Sequence, residues 1–130
     1  MTVPTVATYS AAALVAAQTS FRNLVDAGAA AGSIKIRDAA DVLLAQVPLT
    51  DPCGTVNGTT GQLTITAAGR DESANAGGTA AYGEVCDSDG LVHLALPAQA
   101  GGSPVSGKLV LNTLTIIASA PVEVVSMTVG

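Results

Sequence analysis

Short segments in which polar and apolar residues alternate constrain this chain more than any other feature. The clearest is residues 33–38 (SIKIRD), where Ile34 and Ile36 fall on one face and Lys35 and Arg37 on the other. A period of two is typical of a β-strand with one buried face. The sequence therefore predicts that sheets of Val, Ile and Leu form the core.

The same alternation predicts about eight short strands separated by turn-rich segments. In chain order they span 33–38, 42–49, 62–67, 79–86, 91–96, 108–111, 114–117 and 122–129. We expect the first two to form a hairpin, and the second to end at Pro48 or lie at a sheet edge, because proline cannot donate to a ladder. The last strand is expected to be central. Residues 50–60, 69–78 and 98–107 are predicted loops, and no internal repeat is apparent.

Residues 7–27 have the one convincing helical period in the chain. Apolar residues at spacings of three and four form a single stripe: Leu14, Ala17, Phe21, Leu24 and Val25. Pro4 excludes helix further upstream, and the glycine-rich residues 28–32 provide the stop. Phe21 is expected to anchor this helix to the sheet.

Together these elements predict a mainly β fold, an antiparallel β-sandwich or jelly-roll-like domain with one N-terminal α-helix. At 130 residues one domain is expected, with the helix at 7–27 and the sandwich at 33–129. The hydrophobic fraction of 48% includes 24 alanines, and aromatic residues make up only 2%. Large aliphatic side chains must therefore supply the core.

Charge and hydropathy exclude several classes of protein. A net charge of −5 and a mean hydropathy of +0.49 argue against disorder. The five basic residues are scattered, so no nucleic-acid partner is expected. No apolar run reaches the ~18 residues of a membrane span, and the N-terminus lacks a basic signal-peptide region. We expect no membrane partner and folding in a cytosol.

Cys53, Cys86 and His93 are the only cysteine and histidine residues. Structural zinc normally takes four such ligands, so no metal site is predicted. Two buried free thiols are the favoured interpretation of the cysteines, and a disulfide is the alternative. Cys86 and His93 could meet across a hairpin, but no activating environment is visible in the sequence. His93 is interpreted as a strand histidine at an edge or interface.

Three other polar motifs are interpreted as turns or solvated loops. Residues 87–90 (DSDG) fail the calcium-loop pattern and fit a tight hairpin turn. Asp71 and Glu72 lack the apolar pocket that general acid catalysis requires, and residues 57–59 (NGT) form a turn. The sequence thus predicts no catalytic, cofactor-binding or metal residue and no bound cofactor, and we expect a protein that is not an enzyme.

Five segments in this order resemble a family of small virion proteins encoded by tailed bacteriophages. After the helix come an Ile-x-Ile-x-Asp strand and a leucine-rich strand, followed by an Ala/Gly/Thr strand that runs into the Asp-Ser-Asp-Gly turn and by a closing block. The segments are 34–38, 43–49, 78–90, 111–117 and 121–128. The similarity covers residues 10–130, but the chain lacks the aromatic residues common around the fourth strand.

The resemblance implies a virion structural protein, made in the host bacterial cytoplasm. A capsid decoration or cement protein would bind the major capsid protein and copies of itself as a dimer or trimer. The alternative is a tail- or fibre-associated structural, receptor-binding or carbohydrate-binding module, which would contact other tail proteins. Because sugar platforms use exposed aromatic rings, the low aromatic content favours the capsid role.

Overall fold

The computed structural model describes residues 9–129 as one helix and nine strands. The helix α1 spans Ala11–Val25. The strands are β1 (Ser33–Arg37), β2 (Leu43–Val56), β3 (Leu63–Ala67), β4 (Gly78–Thr79), β5 (Tyr82–Cys86), β6 (Val92–Ala100), β7 (Leu109–Leu111), β8 (Thr115–Ile116) and β9 (Ser126–Val129). The mainly β fold with one helix is confirmed.

Seven strands close into a barrel in the order β1-β2-β3-β9-β7-β6-β5, and β5 returns to pair with β1. A two-sheet sandwich or jelly roll is therefore not confirmed. The pairing is antiparallel except between β6 and β7, which run parallel. The short strands β4 and β8 form a separate two-stranded sheet. The last strand, expected to be central, lies between β3 and β7 in the barrel wall.

The barrel core is aliphatic, as the composition requires. The largest fully buried side chains come from most of the barrel strands and from the helix: Val25, Ile34, Ile36, Leu44, Val47, Leu49, Leu63, Val85, Leu109, Val110, Leu111 and Met127. In β1 the burial alternates as the sequence predicts, with both isoleucines inside. Burying each such side chain contributes roughly 1.5–3 kcal/mol, so this cluster is the main source of stability.

The helix contacts β2 and β6 and packs against the barrel. Ser10 is its N-cap and accepts a 3.1 Å hydrogen bond from the Ala13 amide. Val25 is fully buried and Phe21 packs against the core, as expected for an anchor. The helix is shorter than the predicted 7–27; residues 7 and 8 lie outside the described residues.

Strand β2 departs most from the prediction, because it continues through Pro48 to Val56. The Pro48 carbonyl oxygen accepts from the Ala68 amide at 2.8 Å, just outside the Leu49–Ala67 pair at which the β2–β3 ladder ends, so the missing N–H of Pro48 interrupts no pair of that ladder. Residues 50–56 are thus strand and not loop. Gly54 is required by packing, because a Cβ there would lie 2.2 Å from the Thr64 carbonyl oxygen. The turn is confined to residues 57–62, between β2 and β3.

Three further boundaries differ because the chain changes partners. The predicted strand 79–86 is interrupted where Ala80 donates to Leu114 and Ala81 donates to Arg37. Strand β6 includes the first three residues of the predicted loop 98–107, because Ala98 to Ala100 pair with β7. Only the end of the predicted strand 122–129 forms β9, because Val122 bridges to Asp71.

The structure contains an internal repeat that is not apparent in the sequence. The hairpins β1–β2 and β5–β6 have the same register at a constant interval, with Ser33 opposite Pro48 and Tyr82 opposite Pro97. Both ladders shift at the same place, which leaves Leu44 and His93 as corresponding bulged residues. The two hairpins thus share their strand geometry, although few of their corresponding residues are identical in the sequence.

Both hairpin tips use an aspartate in the same way. Asp38 Oδ1 accepts from the amides of Ala40 and Val42 at 2.9 Å each, and Asp87 Oδ1 accepts from those of Asp89 and Leu91 at 3.0 Å each. The fourth turn residue is left-handed in both, Asp41 with φ 65° and Gly90 with φ 86°. The predicted turn at 87–90 is confirmed.

Candidate functional site

The two cysteines are free and buried. Burial, reinforced by the nearby Asp26 carboxylate, raises the pKa of Cys53 to about 12. Its amide donates to both oxygens of Asp26, at 2.9 and 3.1 Å. Burial also raises the pKa of the Cys86 thiol, which donates weakly to the Glu84 carbonyl oxygen at 3.6 Å. Thiols in these surroundings stay protonated and are poor nucleophiles.

His93 bonds to Asp87 and not to Cys86. Its Nε2 lies 2.9 Å from Asp87 Oδ2, and the two side chains are 9% and 14% exposed. This hydrogen bond lowers the pKa of Asp87, with help from the two turn amides. Cys86 lies opposite Val92 in the ladder. The pair therefore fixes the β5–β6 tip, and the structure does not assemble Cys86 and His93 into a nucleophile and base.

The remaining motifs serve local structure. Asp71 accepts from the amides of Gln46 and Ser73 at 2.9 and 3.0 Å, whereas the neighbouring Glu72 pairs with Arg70. Asn57 Oδ1 accepts from two amides of its own turn, Thr59 and Thr60. Within residues 9–129 no three or more His, Cys, Asp or Glu side chains group as metal ligands. In the same range no helix is long and apolar enough to span a membrane.

One polar network, at the β1–β2 turn, is not predicted by the sequence. Arg37 forms an ion pair with Glu84 on the adjacent strand and donates to the Asp41 carbonyl oxygen at 3.0 Å. The Glu84 contact raises the pKa of Arg37. The Tyr82 hydroxyl donates to Asp41 Oδ1 at 2.6 Å, which raises the pKa of Tyr82 to about 12. The β1–β5 register brings Glu84 and Tyr82 to Arg37 and the turn that follows it, and no local sequence pattern encodes that register.

Large apolar side chains are exposed at several points on the described surface. They are Tyr9, Leu24, Val42, Leu91, Val92, Ile117 and Val125. Val42 and Leu91 occupy corresponding positions directly after the two hairpin turns, and Leu91 is 63% exposed. Single exposed apolar residues are normal, but Leu91 and Val92 are adjacent in the chain. The β5–β6 tip thus presents a small aliphatic surface.

A second surface lies where the β3–β9 ladder opens. Pairing stops at Ile65 and Met127, and the two segments pair again only at the bridge between Asp71 and Val122. We call residues 66–70 and 123–126, with the depression between them, the ladder gap. Arg70 lies at this gap, with Glu72 at 3.3 Å and Glu123 at 3.8 Å. The sequence contains one sign of this interruption of the ladder, because the apolar residues that alternate along 122–128 change phase between Val124 and Val125.

No family model, curated protein or solved structure matches this chain. The fold and the two surfaces, the hairpin tip and the ladder gap, therefore form the basis of the functional interpretation.

Proposed function

We propose that this chain is a virion structural protein of a tailed bacteriophage that binds the outer capsid lattice as a decoration or cement protein. The exposure of aliphatic side chains at the hairpin tips carries the proposal. Val42 and Leu91 both extend from tight turns that do not depend on their side chains, since the aspartates hold those turns. Apolar contact area at roughly 25 cal/mol per Å² is the main driving force for protein association.

The closed barrel supports a role in which side chains make most contacts. A closed sheet has few free edges, so unwanted strand pairing between free subunits is suppressed. The net charge of −5 keeps the subunits soluble before they dock. Both properties suit a protein that accumulates free and then adds to a preformed surface, which is what a decoration protein does. The family resemblance of five ordered segments points the same way.

The proposal is tested by heating virions that lack this protein and measuring genome release. Such virions should lose their genome at lower temperature than complete ones, and purified protein added back should restore the lifetime. The Leu91→Ser variant should restore it less well, because it removes exposed apolar area without disturbing the core. Gly102→Ala is the matched control, since a Cβ there meets no atom within 4 Å. An unchanged lifetime of virions without the protein would contradict the cement role.

A further inference from the structure

We propose that Asn57 is a site of spontaneous deamidation, at which the chain converts its own asparagine into aspartate or isoaspartate. The inference concerns the chain itself and does not depend on the proposed function. Asn57 is followed by Gly58, which hinders attack by its own peptide nitrogen less than any other residue would, because it has no side chain. Both residues are exposed in the turn between β2 and β3, so water reaches the site.

The reaction needs only the chain and water. The Gly58 nitrogen gives its proton to water or hydroxide and attacks Cγ of the Asn57 side chain. A C–N bond forms and negative charge collects on Oδ1. Nδ2 then takes a proton from water and leaves as ammonia, and the ring that remains is a cyclic succinimide. Water opens this ring at either carbonyl. One opening gives aspartate, and the other gives isoaspartate, in which the main chain runs through the side-chain carbons.

Two backbone amides lie where this negative charge develops. Asn57 Oδ1 accepts from the Thr59 amide at 2.8 Å and from the Thr60 amide at 3.0 Å. Fixed N–H donors at a developing oxyanion stabilise the transition state, as they do in the oxyanion holes of enzymes. The same two bonds fix the side chain within its own turn, so little conformational freedom remains to be lost when the ring closes.

The attacking nitrogen is not engaged in a hydrogen bond. Within residues 9–129 no group accepts from the Gly58 amide. The turn is closed by other bonds, from the Asn57 amide to the Gln62 carbonyl oxygen and from the Gly61 amide to the Asn57 carbonyl oxygen, both 2.8 Å. Loss of the Gly58 proton therefore breaks no hydrogen bond between described residues.

The other three asparagines of the chain lack this combination. Asn23 lies inside α1, where helical hydrogen bonding occupies the next amide. Asn75 precedes Ala76, whose amide is bonded at 3.2 Å to a carbonyl oxygen of β2. Asn112 is exposed but precedes Thr113, whose branched side chain obstructs the attack. The structure therefore singles out one asparagine as the reactive one.

The two products should affect the fold differently. An aspartate at position 57 keeps the acceptor oxygen that holds the turn, so it should leave the fold intact. Isoaspartate adds a methylene to the main chain of a turn that packs closely on α1, since a Cβ at Gly61 would lie 2.7 Å from the Leu14 Cβ. Its formation should therefore loosen the start of the helix against the barrel.

The test follows the purified protein during incubation in mildly alkaline buffer. Peptide mass spectrometry should show conversion of amide to acid earliest in the peptide that contains Asn57, and isoaspartyl methyltransferase should label the product. Gly58→Ala is the matched variant, because its Cβ would meet no atom within 4 Å and the bonds to Asn57 Oδ1 remain in place. Its rate should be lower by roughly tenfold, which corresponds to a barrier about 1.4 kcal/mol higher.

Repeating the incubation in urea, where the two donors are lost, measures the contribution of the fold. Asn57 should react at least as fast in the folded chain as in the unfolded one. Slower reaction in the folded chain would show that the turn protects Asn57, and would overturn the proposal. Equal rates for wild type and Gly58→Ala, or earlier conversion of another asparagine, would overturn it too.

Thermal unfolding of the incubated samples separates the two products. Protein that contains isoaspartate should melt at a lower temperature than fresh wild type, whereas the Asn57→Asp variant, which has the same added charge and an unaltered main chain, should melt with fresh wild type. Identical melting of all three samples would overturn the predicted effect of isoaspartate on the helix contact.

Discussion

Lys35 and Glu84 lie directly opposite each other on β1 and β5, and they are also corresponding residues of two hairpins built on one plan. A pseudo-two-fold axis therefore passes between them and relates β1–β2 to β5–β6. These four strands provide more than half of the barrel. Because corresponding positions hold different side chains, each hairpin acts as an internal control for the other.

The aspartates at the two tips allow a matched comparison. Asp38→Ala removes two side-chain-to-backbone hydrogen bonds and should lower the free energy of unfolding by about 1 kcal/mol. Asp87→Ala should lower it more, because His93 also loses its partner. Urea denaturation measures both. In a His93→Leu background, which copies Leu44, the cost of Asp87→Ala should fall to that of Asp38→Ala. An unchanged cost would refute the coupling between His93 and Asp87.

The same pair predicts a pH dependence. The hydrogen bond from His93 lowers the pKa of Asp87 in the folded protein. The associated stability is therefore present above the unfolded pKa of about 3.9 and is lost as pH falls through the folded value. Wild type should lose more stability between pH 5 and pH 2 than the His93→Leu variant. Urea midpoints measured across this range test the sign, and identical pH profiles would argue against it.

Gly54 should tolerate no side chain. A Cβ there would lie 2.2 Å from the Thr64 carbonyl oxygen, which belongs to a ladder that cannot shift freely. Gly54→Ala is expected to lower the free energy of unfolding by about 3 kcal/mol. Gly102→Ala, with open space around its Cβ, should change it by less than about 0.5 kcal/mol. Thermal unfolding followed by circular dichroism compares them. Equal stability of the two variants would mean that β2 and β3 do not pair at this point.

The cysteines should react slowly in the native protein. Both thiols are buried and both have raised pKa values, that of Cys53 to about 12. A thiol reagent such as Ellman's reagent at pH 8 should label them only as fast as the chain opens, and should label two thiols at once in urea without reductant. Rapid labelling of the native protein would contradict their burial. Fewer than two thiols in urea would indicate a disulfide.

The sequence predicts the local elements well and the long-range pairing poorly. Alternation identifies β1 and β3, and the stripe ending at Val25 identifies the helix, since side-chain periodicity records which face is buried. Gly54 and Pro48 mislead, because a glycine required by close backbone approach has the same appearance in sequence as a glycine required by a turn. Barrel closure also depends on the β5–β1 pairing, which joins residues far apart in the chain. No local pattern encodes such a contact.

Of the two candidate surfaces, the sequence predicts the local one and not the one that depends on long-range pairing. The aspartate turn at the β5–β6 tip can be read from residues 87–90, because aspartate and glycine have fixed roles in tight turns. The ladder gap arises where two segments of the chain separate, one following Ile65 and the other preceding Met127. Its one local sign is the change of phase at Val125, because the other wall joins the end of the predicted strand 62–67 to the start of the predicted loop 69–78.

The central claim, that this protein decorates a capsid, is tested most directly by electron microscopy of particles with and without it. A difference map should place its density on the outer capsid surface at two-fold or three-fold positions, with the barrel recognisable. Density confined to the tail or fibres, or identical maps from the two preparations, would contradict the claim.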